Sequence, residues 1–210
     1  VKQSNFELKG LRSFDLKNKT MGVIGPGRIG QHVIRIAKGF EMNVLAYAKH
    51  RDNKLAKKLG FSYATIDSLL KNSDIISMHC PLNNETHHMI NLKNIKLIKK
   101  GSYLINTSRG ELIDTKALVY ALDQGILAGA GLDVLEGESY IKEEKQLLHS
   151  KFSKECDWKT FTETKLLLKE KNVIVTPHNA FNSKEALSRI IETTLENIKR
   201  FINKKKINKI

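Results

Sequence analysis

Two cysteines, three prolines and one tryptophan among 210 residues are low counts. Each excludes something. Cys80 and Cys156 stand 76 positions apart, with no C-x-x-C and no zinc-type spacing, which suits a reducing compartment, and a chain of 210 residues is long enough to bury a core without disulfide staples. With three prolines and 13 glycines, there is no collagen-like or low-complexity stretch. No apolar run approaches the roughly 20 residues that span a bilayer, and the opening VKQSNFELKG does not read as a signal peptide. The expectation is a soluble, cytoplasmic chain with no membrane partner.

Arginine is also scarce. Of 36 basic residues 29 are lysine, and aromatics make up only 7%. Nucleic-acid grooves lean on arginine with aromatics interleaved for stacking, and no nucleic-acid motif accompanies these lysines. The net charge of +14 is therefore read as a solvated surface. It concentrates at 196–210 (Lys199, Arg200, Lys204, Lys205, Lys206, Lys209 against Glu196) and at 49–58 (Lys49, Arg51, Lys54, Lys57, Lys58 against Asp52). No nucleic-acid partner is expected.

A hydrophobic content of 40% with 28% charged residues is too apolar for disorder and enough for a core. Apolar runs alternate with helical periodicity. Thr20–Ile24 reads as a buried strand. Arg28 to Phe40 follows as a helix with Ile29, Val33, Ile36, Ala37 and Phe40 on one face. Asn43–Tyr47, Phe61–Tyr63, Ile75–His79, Ser102–Asn106, Leu127–Val134 and Asn172–Thr176 read as further strands. Helices are expected at Asn53–Leu59 after an Asp52 cap, Ile66–Lys71, Leu92–Lys99, Thr115–Gln124 after Asp114, and from Ser183 to about Phe201. Continuous apolar strands alternating with helices imply an α/β fold, a doubly wound parallel sheet of Rossmann type. Ligands of such sheets sit at the carboxyl ends of the strands.

The first strand-to-helix turn is Gly25-Pro-Gly27-Arg-Ile-Gly30, a G-x-G-x-x-G in the context that gives the pattern meaning. Gly25 permits the turn, Gly27 lets a pyrophosphate approach the backbone, and Gly30 lets the helix sit on the strand. A dinucleotide is the implied ligand. The residue expected to read its ribose, an Asp or Glu at the end of the second strand, is absent: the sequence has Tyr47-Ala48-Lys49-His50-Arg51. Lys49 and Arg51 could meet the 2′-phosphate of NADP, or NAD binds with one contact fewer. Both cofactors stay open.

Later strand ends carry Asn106-Thr-Ser-Arg109-Gly110, then Asp133-Val-Leu-Glu136-Gly-Glu138, then Thr176-Pro-His178-Asn179. Together they bring one fixed cation, one carboxylate and one imidazole to one rim, an acid–base site beside a dinucleotide. His79, Cys80, His87 and His88 lack a second cysteine or paired spacing, and no metal is expected there.

At these residues the chain resembles the D-isomer-specific 2-hydroxyacid dehydrogenase family. The ordered motifs are the glycine turn, Ser73-Asp74-Ile-Ile-Ser-Met-His79-Cys-Pro81-Leu with Thr86, Asn106-x-Ser-Arg109-Gly110, Gly131-Leu-Asp133-Val with Glu138, and Thr176-Pro-His178. The resemblance implies that Arg109 binds substrate, that His178 is the general acid–base and that Glu138 is its partner, a carboxylate that would favour the charged imidazole. It implies cofactor contacts from Arg28, Ile29, Cys80, Pro81, Thr86, Thr107, Ser108 and Asp133, and strand-shaping roles for Asp74 and His79. NAD is the family's usual cofactor, and a homodimer is implied for the whole protein. Asn179-Ala-Phe181 is similar to the lactate-type branch, so the expected substrate is a small 2-oxo or 2-hydroxy acid such as D-lactate. The same fold also serves as a dinucleotide-sensing scaffold in co-repressors, which is the alternative.

Only 24 residues precede Gly25, whereas the family places a large substrate-binding segment there. The expectation is the cofactor part of a two-domain protein. Residues 1–182 would form the dinucleotide-binding domain, and 183–210 a helix returning toward the absent substrate domain. Residues 139–171 read as an insertion or lid-like segment.

Overall fold

The computed structural model describes residues 13–138 and 158–203. In chain order they form β1 (Thr20–Ile24), α1 (Arg28–Gly39), β2 (Asn43–Tyr47), α2 (Asn53–Leu59), β3 (Ser62–Tyr63), α3 (Ile66–Asn72), β4 (Ile75–Met78), β5 (Ser102–Asn106), α4 (Thr115–Asp123), β6 (Leu127–Leu132), α5 (Trp158–Leu167), β7 (Val173–Val175) and α6 (Lys184–Ile202). The strands make one parallel sheet in the order β3-β2-β1-β4-β5-β6-β7. Because β1 pairs with both β2 and β4, the winding reverses there. A crevice at the carboxyl ends of these strands follows from that reversal.

Adjacent residues of β1 feed opposite cores. Val23 joins Ile34, Ala37, Met42, Val44, Ala46 and Phe61 on one side, while Ile24 joins Leu69, Leu70, Ile76, Met78 and Leu104 on the other. The sheet is thus covered on both faces, which is why its central strands read as unbroken apolar runs.

The expected caps form. Asp52 accepts from the Leu55 amide, Asp114 from Lys116 and Ser183 from Ala186, each at 3.0–3.1 Å. Strand ends differ by a residue or two from expectation: β4 stops at Met78, β6 at Leu132, and β7 spans only Val173–Val175.

Two expectations need larger correction. Leu92–Lys99 is not an α-helix but a loop with one 3₁₀ turn at Ile95–Leu97. Asparagine side chains capture its backbone: Asn94 Oδ1 accepts from the Asn91 amide, Asn91 Oδ1 accepts from Lys93, and the two amide groups donate to the His88 and Met89 carbonyls. Such local bonds compete with helical ones. The second correction is the buried face of α1, which consists of Gly30, Ile34 and Ala37, while Ile29, Ile36 and Phe40 are more than half exposed. A Cβ on Gly30 would lie 2.3 Å from the Gly25 carbonyl, so Gly30 must face the sheet, and that contact fixes the rotation of the helix.

Of the expected insertion, residues 139–157 lie outside the described residues. Residues 158–167 form α5, which lies against α4 and buries Thr164 and Leu167. α6 has no buried residue among those described, and Leu187, Ile190, Ile191, Leu195 and Ile198 are all exposed. No helix of the described residues is long and apolar enough to cross a membrane.

Candidate active site

The glycine turn shows three glycines required for three reasons. Gly25 has φ +90°, and a Cβ there would sit 2.7 Å from the Cys80 amide nitrogen, so the turn lies directly on the exit of β4. Gly30 seats the helix. A Cβ on Gly27 would meet nothing within 4 Å among the described residues, so that position is open toward the crevice and not constrained by packing. Gly27 is also the N-cap of α1, with no side-chain cap and no acidic residue in the first turn. The first amides of α1 therefore lack side-chain partners and form a site suited to a phosphate. Arg28 and Ile29 are exposed at the same turn.

Beside this turn lies a cavity of ≈ 430 Å³ whose walls include Gly25, Gly27, Tyr47, Lys49, Cys80 and Pro81. Burial pushes the Cys80 thiol up, so it lines the wall as a neutral group. Thr86 also lines the cavity, but its hydroxyl is engaged: it donates to the Pro81 carbonyl at 2.7 Å and accepts from the Asn83 amide at 2.8 Å. It shapes the loop that presents Pro81. Lys49 Nζ lies 2.6 and 2.8 Å from the two carboxylate oxygens of Glu85, and Arg51 is not part of the cavity wall.

Asp74 and His79 act on the strand itself. Asp74 accepts from the Thr20 amide at 2.8 Å and pairs with Lys99 at 2.7 Å. Nε2 of His79 lies 2.8 Å from the Ser77 hydroxyl, Nδ1 is buried with no partner among the described residues, and burial lowers the pKa of the ring.

The Arg109 loop is built by Asn106 and Gly110. Asn106 donates to the Arg109 carbonyl at 2.8 Å and accepts from the Ser108 amide at 3.0 Å, while the Ser108 hydroxyl donates to the Met78 carbonyl. A Cβ on Gly110 would lie 2.1 Å from the Leu135 carbonyl carbon. The loop after β5 is thereby pressed onto the loop that carries Glu136 and Glu138. Arg109 is exposed and its guanidinium donates to the Ser108 carbonyl at 2.6 Å, with no carboxylate partner among the described residues. Thr107 beside it is exposed.

His178 follows β7 and Glu138 follows β6. Nδ1 of His178 lies 2.7 Å from Oε1 of Glu138, with both side chains about one-third exposed. They line a second cavity of ≈ 270 Å³ with Asp133, Thr176 and Pro177. His178 has φ +52°, a left-handed conformation that costs a non-glycine residue on the order of 1–3 kcal/mol and persists only where surroundings enforce it. Asp133 enforces it. Its carboxylate accepts from the Thr176 hydroxyl, the Asn179 amide at 3.0 Å and the Ala180 amide at 2.9 Å, which brackets His178 on both sides. Burial acts to raise the Asp133 pKa, but these bonds and the nearby His178 outweigh it, and the carboxyl is held below its usual range. Asp133 was expected at the cofactor; its oxygens are committed to the histidine loop.

Sequence reasoning assigned no role to Glu136. One of its oxygens lies 2.6 Å from His88 Nε2 and the other accepts from the amide and hydroxyl of Thr115, so it joins three segments behind the Arg109 loop. His87, His88 and Glu136 bring ligand-type atoms within 4.8 Å of one another. The internal bonds of His88 and Glu136 account for that cluster. Glu85 was missed as well, because the loop that carries it is 36 residues from Lys49.

The chain is similar to known proteins over nearly its whole length. The family model described as D-isomer specific 2-hydroxyacid dehydrogenase, NAD binding domain, matches residues 1–180. A 2-hydroxyacid dehydrogenase homolog of Zymomonas mobilis is 43% identical over 199 residues, covering 94% of this chain and 58% of that protein. A glyoxylate reductase of Thermococcus litoralis is 41% identical over 185 residues, 88% of this chain and 49% of its own length. Among solved structures, D-lactate dehydrogenase from Aquifex aeolicus complexed with NAD and lactic acid superposes with a TM-score of 0.83 at 39% identity, over 96% of this chain and 58% of that one. The chain thus spans 49–58% of the length of these relatives.

Proposed function

The chain belongs to the D-isomer specific 2-hydroxyacid dehydrogenase family, and from that premise we propose that it is the cofactor-binding part of an oxidoreductase that reduces a small 2-oxo acid to a D-2-hydroxy acid. The observation that carries this reading is the 2.7 Å contact between His178 Nδ1 and Glu138 Oε1, on the same strand-end rim as a phosphate-ready glycine turn.

The turn at Gly25, Gly27 and Gly30, with the amides of Arg28 and Ile29, would hold a pyrophosphate, and Cys80 and Pro81 would wall the adjoining cavity. NAD is the proposed cofactor: Lys49 is already paired with Glu85 and Arg51 is off the wall, which leaves no unpaired lysine or arginine there among the described residues for a 2′-phosphate. When bound, NADH supplies the hydride that the carbonyl carbon accepts.

The side chains supply the rest. Glu138 holds Nδ1 of His178 and fixes the ring, which leaves Nε2 to give a proton to the carbonyl oxygen in reduction and to take it back in oxidation. Arg109 offers parallel N–H groups, a planar fork, to the carboxylate and carbonyl oxygens of the substrate. Phe181 stands edge-on to His178 at 6.4 Å between ring centroids and offers an apolar surface that suits a short acyl chain such as that of pyruvate. α6, with its apolar face exposed, would return toward a substrate domain, and the whole protein would be a homodimer.

The test is turnover by the full-length protein with NADH and pyruvate, with glyoxylate in parallel, and the configuration of the product. D-lactate is the expected product. NADH binding without reduction of any small 2-oxo acid would overturn the enzyme reading in favour of a dinucleotide-sensing scaffold.

A further inference from the structure

Position 48, where the ribose-reading carboxylate is expected, is alanine. A carboxylate nevertheless reaches the same cavity from the other side of the crevice. Glu85, on the loop after β4, and Ala48 and Lys49, at the end of β2, line one cavity, and both oxygens of Glu85 contact Lys49 Nζ, at 2.6 and 2.8 Å. We propose that Glu85, held in place by Lys49, supplies the missing ribose-reading carboxylate and makes this site select NAD over NADP. This rests on the dinucleotide reading above and goes beyond it, since that reading uses Glu85 only as the partner of Lys49 and gives it no contact with the cofactor.

The charges around the cavity support the choice. Lys49 is the one lysine or arginine among the described lining residues, which also include two carboxylates, Glu85 and Asp52; Asp52 also caps α2 through the Leu55 amide. A 2′-phosphate carries close to two negative charges and would have to displace Glu85 from Lys49 or sit against it. A ribose diol has no such conflict. A carboxylate has about four lone-pair sites, and the bonds to Lys49 leave others free to accept a hydroxyl proton. The ammonium of Lys49, with a contribution from His50, holds Glu85 below the usual carboxylate range, so it remains an acceptor throughout the neutral region. Lys49 has the complementary task of keeping Glu85 turned into the cavity.

The experiment is a fluorescence titration of the full-length protein with NADH and NADPH in parallel, for the wild type, Glu85→Gln and Glu85→Lys, with circular dichroism melts to show that the variants fold. The wild type is expected to favour NADH about tenfold or more, and Glu85→Gln to shrink that ratio by at least about fivefold. Glu85→Lys should invert it. If the wild type prefers NADPH, or if folded Glu85 variants keep the wild-type ratio, the selectivity proposal fails while the dinucleotide reading stands. If neither nucleotide binds the wild type, the dinucleotide reading fails and this proposal with it.

Discussion

Nδ1 of His178 and Oε1 of Glu138 lie 2.7 Å apart although 40 residues separate them in the chain, because β6 and β7 are neighbours and both residues follow their strand ends. In the proposed reaction that carboxylate would set which ring nitrogen faces the substrate. Glu138→Gln keeps the shape and removes the charge. It is expected to lower kcat/KM by about 10²-fold, with the melting temperature nearly unchanged, in steady-state assays of the full-length protein. A variant with wild-type kcat/KM would show that the pair has no part in proton transfer.

Asp133 acts on His178 through the backbone. Asp133→Ala leaves the Asn179 and Ala180 amides and the Thr176 hydroxyl without their acceptor, and is expected to cost about 1–3 kcal/mol. Relaxation of the left-handed His178 should lower kcat more than it raises KM. Because the folded-state pKa of Asp133 is depressed, its contribution to stability is present above the ordinary Asp value of about 4 and is lost as pH falls through the lower folded value. Acid unfolding curves should therefore differ between wild type and Asp133→Asn above about pH 4 and converge below it.

Gly110 carries the contact between the Arg109 loop and the Glu138 loop. Any Cβ there would overlap the Leu135 backbone, which cannot yield as a flexible side chain can. Gly110→Ala is expected to destabilise by about 1–3 kcal/mol through overpacking. It should also raise KM for the 2-oxo acid while NADH binding stays near wild type, a split that separates a displaced Arg109 from general unfolding.

Much of this arrangement is legible in the residues alone. The glycine turn, the caps at Asp52, Asp114 and Ser183, and the strand-end positions of Arg109, Glu138 and His178 follow from local chemistry: turn geometry, amide capping and apolar runs. What was not legible depends on contacts distant in sequence. The rotation of α1 is set by Gly30 against Gly25, so Ile29, Ile36 and Phe40, which share a face on a helical wheel, point away from the core. The Leu92–Lys99 segment has helical periodicity, but Asn91 and Asn94 take its backbone bonds. Lys49 leaves NAD and NADP open in the sequence because its partner Glu85 arrives from a different loop. The family resemblance implies a cofactor contact for Asp133, and the sequence gives no sign that its carboxylate oxygens serve residues 176–180.

In the proposed reaction His178 moves the proton in a hydride transfer to a 2-oxo acid. The most direct measurement is the single-turnover rate of NADH oxidation with saturating pyruvate, for wild-type full-length protein and His178→Gln, with NADH affinity measured on the same samples. The predicted result is oxidation by the wild type and a fall of about 10²–10⁴-fold in the variant at unchanged NADH affinity. Wild-type rates in the folded variant would contradict the claim.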